Sequence, residues 1–151
     1  LCLRWLDGHV YRQADYKRVL DYGCGSGILA IAALLLGAEH ADCVDIDEQA
    51  LLSTRDNAAS NQVLHRINTC LPEELATDSQ YDLVLANILS GPLTELAPTL
   101  AQHCHPVSNI VLSGILHDQA ESVRNAYAEL FDMTTTEILE DWVLLQGKRK
   151  T

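Results

Sequence analysis

The residues best placed to do chemistry lie in one short run, Val19-Leu20-Asp21-Tyr22-Gly23-Cys24-Gly25-Ser26-Gly27-Ile28-Leu29-Ala30. An apolar, strand-like segment passes through three glycines at alternate positions and enters an apolar segment of helical character. Glycine at such a junction lets the backbone turn sharply and lets a ligand lie against it without meeting a β-carbon. A tight turn with positive φ is the plainest alternative, but three glycines are more than a turn requires. Dinucleotide folds use G-x-G-x-x-G, whose last glycine admits a pyrophosphate at the helix N-terminus. This series is G-x-G-x-G, with Ile28 where that last glycine would fall. A cofactor without phosphate is expected at Gly23, Gly25 and Gly27.

Two acids accompany the glycines. Asp45 ends the next apolar run about twenty residues on, where a carboxylate can accept both hydroxyl hydrogens of a ribose; otherwise it is a solvated strand end. Asp21 either helps hold the loop and a cationic ligand group or simply accepts loop amides. Ile46 offers an apolar floor for a purine or an ordinary core side chain, and Glu73 and Glu74 read as exposed charge. Further on, Tyr81 to Ala86 runs into Asn87-Ile88-Leu89-Ser90-Gly91-Pro92. Strand ends in an open parallel sheet line the ligand crevice, so Asn87 should stand beside the glycine loop. Its side-chain oxygen and the Ile88 carbonyl could then accept hydrogen bonds from a substrate amine, and a turn residue before Gly91-Pro92 is the alternative.

These groups need a scaffold, and the apolar pattern supplies one. Strand-like runs at Arg18 to Tyr22, Ala41 to Ile46 and Tyr81 to Ala86 alternate with helical patterns at Ile28 to Leu36, Glu48 to Ser60 and Leu93 to His103. A weaker strand at Arg66 to Cys70 and another at Asn109 to Ser113, followed by a helix from Gln119 to Phe131, extend the alternation. Such alternation is the signature of a parallel sheet covered by helices. Met133 to Leu139 and Trp142 to Gln146 are separated only by Glu140 and Asp141, which is hairpin spacing and not a crossover. The reading is a mostly parallel α/β sheet of seven strands with an antiparallel C-terminal edge hairpin. Asp47 should cap the helix at Glu48, Asp118 and Glu121 should form a capping box, and Gly37 should close the helix at Ile28. The latter helix carries almost no polar residue and should be buried on most sides.

The chain has 151 residues and a formal charge of -11, with 48% apolar and 21% charged residues. That length suits one domain, residues 1–151, and the composition excludes fibrous, coiled-coil and disordered classes. Net negative charge disfavours phosphate backbones and suits a basic partner. No apolar run approaches the roughly 20 residues of a membrane span, and no signal peptide opens the chain. Cys2, Cys24, Cys43, Cys70 and Cys104 include no C-x-x-C pair, so reduced thiols in a cytoplasmic protein are expected. His103-Cys104-His105 invites a metal reading, but adjacent ligands on one short stretch lack zinc spacing, so no metal site is assigned.

Ribose recognition without phosphate recognition fits S-adenosylmethionine, and the glycine run resembles the first motif of class I methyltransferases. The resemblance narrows with Val44-Asp45-Ile46-Asp47, Arg55-Asp56-Asn57-Ala58, Ala86-Asn87-Ile88-Leu89-Ser90-Gly91-Pro92-Leu93 and Leu112-Ser113-Gly114-Ile115-Leu116. Together these are similar to the ribosomal protein L11 methyltransferase family over nearly the whole chain. The likeness implies a Rossmann-like class I fold with helices on both faces of its sheet, and S-adenosylmethionine as cofactor. It implies methylation of α-amino and lysine ε-amino groups of a large-subunit ribosomal protein, a basic partner of the kind the -11 charge suits, while that charge and the short apolar runs speak against a direct nucleic-acid or membrane partner. Asp21, Gly23, Gly25, Gly27, Asp45, Ile46 and Asn87 then become the cofactor-binding set, with Asn87 as the catalytic residue aligning the amine. The family also has an N-terminal substrate-recognition domain and a Thr-bearing segment, both of which would precede Leu1. Where the family has a Pro-Gly-Gly turn before its fifth strand, this chain has residues 103–109 instead. Another class I methyltransferase acting on RNA or a small molecule, and a nonenzymatic nucleotide-binding fragment, remain open on the sequence.

Overall fold

The computed structural model describes residues 1–9 and 16–151. Its centre is a sheet of seven strands: β1 (Arg18–Tyr22), β2 (His40–Val44), β3 (Ile67–Cys70), β4 (Tyr81–Asn87), β5 (Cys104–Leu116), β6 (Phe131–Leu139) and β7 (Trp142–Arg149). The spatial order is β3-β2-β1-β4-β5-β7-β6. β1 to β5 are parallel, and β7 runs antiparallel between β5 and β6. The hairpin spacing around Glu140 and Asp141 thus gives the antiparallel edge that it predicts.

Burial on both faces explains the apolar strands. In β1 and β4, Val19, Leu83 and Leu85 join one core cluster while Leu20, Val84 and Ala86 join the other. Side chains alternate across a strand, so both clusters need a cover. On the first face lie α1 (Cys2–His9), α2 (Ile28–Leu35) and α3 (Glu48–Ser60); on the second lie α4 (Ser90–Glu95), α5 (Ala97–Gln102) and α6 (Ala120–Tyr127). Asp47 caps α3 through the Gln49 amide at 2.9 Å. Gly37 closes α2, where the Gly37 amide reaches the Leu34 carbonyl and the Ala38 amide reaches that of Ala33.

Several elements depart from the sequence reading. Leu93 to His103 is two helices and not one, because Pro98 in the first turn of α5 lacks the amide that would continue the ladder. α6 stops at Tyr127, since Phe131 already pairs with Arg149 in the sheet. Asp118 and Glu121 form no capping box; Gln119 instead accepts the Leu116 amide at 3.1 Å. α2 buries Leu29, Ala30, Ile31, Ala33 and Leu34, but Ile28 and Leu35 are more than half exposed, so one side is open. β5 begins at Cys104 and absorbs the stretch read as a connection. There His103 meets the Ser79 carbonyl at 2.7 Å, His105 meets Asp82 at 2.9 Å, and the Cys104 side chain joins the second core cluster. No helix among the described residues is long and apolar enough to cross a membrane.

Candidate cofactor and acceptor site

The chain leaves β1 toward β2 and β3 on one side, then returns to β4 and β5 on the other. Such a switch point opens a crevice at the carboxyl ends of β1 and β4. The glycine loop follows β1 and Asn87 ends β4, so topology brings the two sequence motifs to one edge of the sheet.

Gly23, Gly25 and Gly27 all take positive φ, at 79°, 55° and 80°. The amides of Gly23 and Cys24 both donate to the Val44 carbonyl, at 2.7 and 3.0 Å, which folds the loop back over the end of β2. The Asp45 carboxylate accepts the Gly25 amide at 2.9 Å and the Asp47 amide at 3.0 Å. It therefore ties the loop to the entry of α3, and each oxygen keeps a lone pair for a ligand hydroxyl. Asp21 is 1% exposed and accepts the Ala30 amide at 3.2 Å, in the first turn of α2, whose N-cap Gly27 has no side chain to do so. Burial pushes its carboxyl up to about 7, with the Ala30 amide opposing and the Asp45 charge reinforcing that rise.

A cavity of about 380 Å³ is lined by Tyr22, Gly23, Asp45, Ile46, Pro72, Ile88, Leu89, Pro92 and Leu96. Gly23, Asp45 and Ile46 are brought together here. Ile46 is 85% exposed, which excludes the core alternative and leaves an apolar side chain standing at the cavity. Asp21, Gly25 and Gly27 do not line the cavity but support its wall from behind. Glu73 and Glu74 are exposed, and Glu74 accepts the Leu71 amide at 2.8 Å. Among the described residues the lining includes one carboxylate and no lysine or arginine. Among those residues nothing would neutralise a pyrophosphate, whereas apolar walls and a carboxylate suit an uncharged nucleoside.

Asn87 is exposed and opens onto a neighbouring depression of about 330 Å³ with Leu1, Ser113, Gly114, Leu139 and Trp142. Ile88, the next residue, lines the first cavity. The Asn87-Ile88 step therefore joins the two spaces, with Asn87 lining the second and Ile88 the first.

Sequence reasoning missed two supports of the loop. Thr54, fully buried in α3, donates to the Gly25 carbonyl at 3.0 Å and contacts the Cys24 sulfur at 3.4 Å. Asn57 donates to the Ser26 carbonyl at 2.9 Å. Their spacing of three residues on one helical face was the available signal.

The family described as "Ribosomal protein L11 methyltransferase (PrmA)" matches residues 1–150 of this chain. The ribosomal protein L11 methyltransferase of Hahella chejuensis is 52% identical over 149 residues, 99% of this chain and 50% of its own. That of Chromohalobacter salexigens is 55% identical over 152 residues, 98% of this chain and 49% of its own. The chain thus spans about half the length of these curated relatives. The crystal structure of a ribosomal protein L11 methylase from Lactobacillus delbrueckii subsp. bulgaricus superposes with a TM-score of 0.83 at 30% identity, covering 99% of this chain and 79% of that one. An RNA methyltransferase from Salinibacter ruber, in complex with S-adenosyl-L-homocysteine, shares the fold at a TM-score of 0.73 and 20% identity, covering 99% and 88%. With a match that runs from its first residue almost to its last, the chain belongs to the ribosomal protein L11 methyltransferase family.

Proposed function

We propose that this chain is the S-adenosylmethionine-binding unit of a cytoplasmic protein N-methyltransferase that acts on amino groups of a cationic large-subunit ribosomal protein. The observation that carries the reading is the apolar cavity at the switch point, with Asp45 at its wall, no cation among its described lining residues, and the Asn87-Ile88 step beside it. Family membership supplies the reaction and the substrate class. The site accommodates the cofactor: Asp45 would hold the ribose diol, Ile46 and Pro72 would flank the adenine, and the Gly23 backbone would lie against the ligand. Bound there, S-adenosylmethionine supplies a methyl group on a good leaving group.

The protein's share of the chemistry is alignment and desolvation. Asn87 and the Ile88 carbonyl accept hydrogen bonds from the substrate amine and aim its lone pair, and orientation alone can supply much of the rate. The apolar side chains of Leu139 and Trp142 beside Asn87 disfavour a protonated amine, so the nucleophile arrives uncharged. No strong base is required of the chain.

Calorimetric titration with S-adenosylhomocysteine tests the reading, with NAD as the control. Binding of the first and not of the second is expected, and the reverse would return the chain to the nucleotide-binding alternative. Asp45→Ala should weaken that binding by tenfold or more, roughly the value of a charge-assisted hydrogen bond. Asn87→Ala should leave it within twofold while lowering methyl transfer to the purified ribosomal protein, read by mass spectrometry. Normal transfer by the Asn87 variant would remove the aligning role.

A further inference from the structure

The methyl-transfer reading gives Gly114 no part, yet this residue sits directly beneath the step that the reading depends on. β4 and β5 pair in register as far as Asn87 against Ser113, and Gly114 is the first residue beyond that pair. There the pairing of β5 with β7 breaks, between Leu112 and Ile115, and Gly114 takes a φ of +83°. A β-carbon at this position would lie 2.5 Å from the Ile88 carbonyl oxygen, 3.0 Å from its carbonyl carbon and 3.2 Å from Oδ1 of Asn87. The closest of these atoms is backbone and cannot swing aside as a flexible side chain can.

Both oxygens facing the missing side chain are the acceptors assigned to the substrate amine. We infer that Gly114 is a positioning residue for the acceptor amine: its lack of a side chain lets the Ile88 carbonyl and Asn87 Oδ1 close together at the edge of the acceptor depression. The other side of Ile88 is fixed in the same way, because a β-carbon on Gly23 would lie 2.5 Å from Cγ2 of Ile88. Ile88 is thus seated between glycines that follow β1 and interrupt β5. Its side chain forms part of the cofactor cavity and its carbonyl faces Gly114. Adding a methyl group at residue 114 displaces the acceptors relative to the methyl donor while leaving Asp45 and the glycine loop in place. Because transfer is in line, such a displacement falls on turnover.

The inference rests on the methyl-transfer reading and is tested so that the two can fail separately. For Gly114→Ala, the S-adenosylhomocysteine Kd should stay within twofold and kcat on the ribosomal protein should fall more than tenfold. In an Asn87→Ala background the same substitution should cost less than it does in the parent chain, because one of the two acceptors it displaces is already gone and only the Ile88 carbonyl remains to be moved. Unchanged turnover, a parallel loss of affinity and turnover, or an undiminished cost in the Asn87→Ala background would each overturn the inference. A second measurement uses the unaltered chain and needs neither turnover nor a folded variant. In crystals grown with S-adenosylhomocysteine and n-butylamine, the amine nitrogen should lie within about 3.2 Å of Asn87 Oδ1 and the Ile88 oxygen, over Gly114. Bound S-adenosylhomocysteine with the amine elsewhere or absent overturns the role of Gly114. A cavity without S-adenosylhomocysteine overturns the methyl-transfer reading, and the inference with it.

Discussion

Asp21 is a carboxylic acid shut away from water with one amide for company. Its environment holds it protonated to about pH 7, whereas in the unfolded chain it ionises near its ordinary value of 3.8. The sign of its effect on stability follows. Below about pH 4 the neutral acid is accommodated at no ionic cost, and between about 4 and 7 the fold progressively loses stability as the unfolded chain ionises first. Asp21→Asn keeps the shape and the acceptor for the Ala30 amide but removes the titration. Its Tm should therefore decline less than that of the parent across this window, as followed by thermal melts at half-unit steps of pH. A cationic cofactor near the same carboxyl favours the ionised form, so binding at pH 6.5 should expel protons. Calorimetry in two buffers of unlike ionisation enthalpy reads this directly, and identical heats would place Asp21 outside the reach of the ligand.

At the scale of elements, α3 does more than cover the sheet. Thr54 and Asn57 grip two successive carbonyls of the glycine loop, while the Gly23, Cys24 and Gly25 amides go to Val44 and Asp45. Thr54→Val preserves volume but orphans the Gly25 carbonyl, so it should cost about 1–2 kcal/mol of stability. It should also weaken S-adenosylhomocysteine binding several-fold, as melts and calorimetry on one sample would show. Much of this layer was legible beforehand. β1 and α3 fall at the expected bounds because Gly23 and Asp47 punctuate them, and Asp45 and the glycine loop meet as their spacing implies. What pattern could not reveal was long-range: Asn87 turning to a second depression, Gly114 beneath Ile88, and the Ser26 carbonyl on Asn57. β5 was also misjudged at its start, where Val107 adopts a φ of +72° in place of a turn glycine. A β-branched residue pays about 1–2 kcal/mol for that conformation, so Val107→Gly should raise Tm by a few degrees without affecting cofactor affinity.

For the whole molecule, charge divides along the strand axis. Connections at the edge bearing the site carry Asp45, Asp47, Glu48, Glu73, Glu74, Asp118, Glu140 and Asp141, and residues 23–27, 45–48, 71–76, 88–91, 117–119 and 140–141 contain no lysine or arginine. Lys17, Arg18, Arg66, Lys148, Arg149 and Lys150 gather at the opposite edge beside Glu39, Asp78, Asp82, Glu129 and Asp132, so that edge is nearly balanced and the net negative charge lies on the side of the site. A field of this shape draws a cationic protein toward the mouth of the crevice and disfavours approach by a nucleic-acid phosphate backbone. Screening lengths shrink from roughly 14 Å near 0.05 M salt to about 4 Å near 0.5 M. Across that range the KM for the ribosomal protein should rise several-fold, while kcat and the S-adenosylhomocysteine Kd stay within twofold because the cavity is apolar. Glu140→Lys combined with Asp141→Lys, at the exposed β6–β7 turn, should raise KM at low salt and flatten its salt dependence. A KM indifferent to salt in the parent chain would show that shape, and not this charge division, brings the substrate to the site.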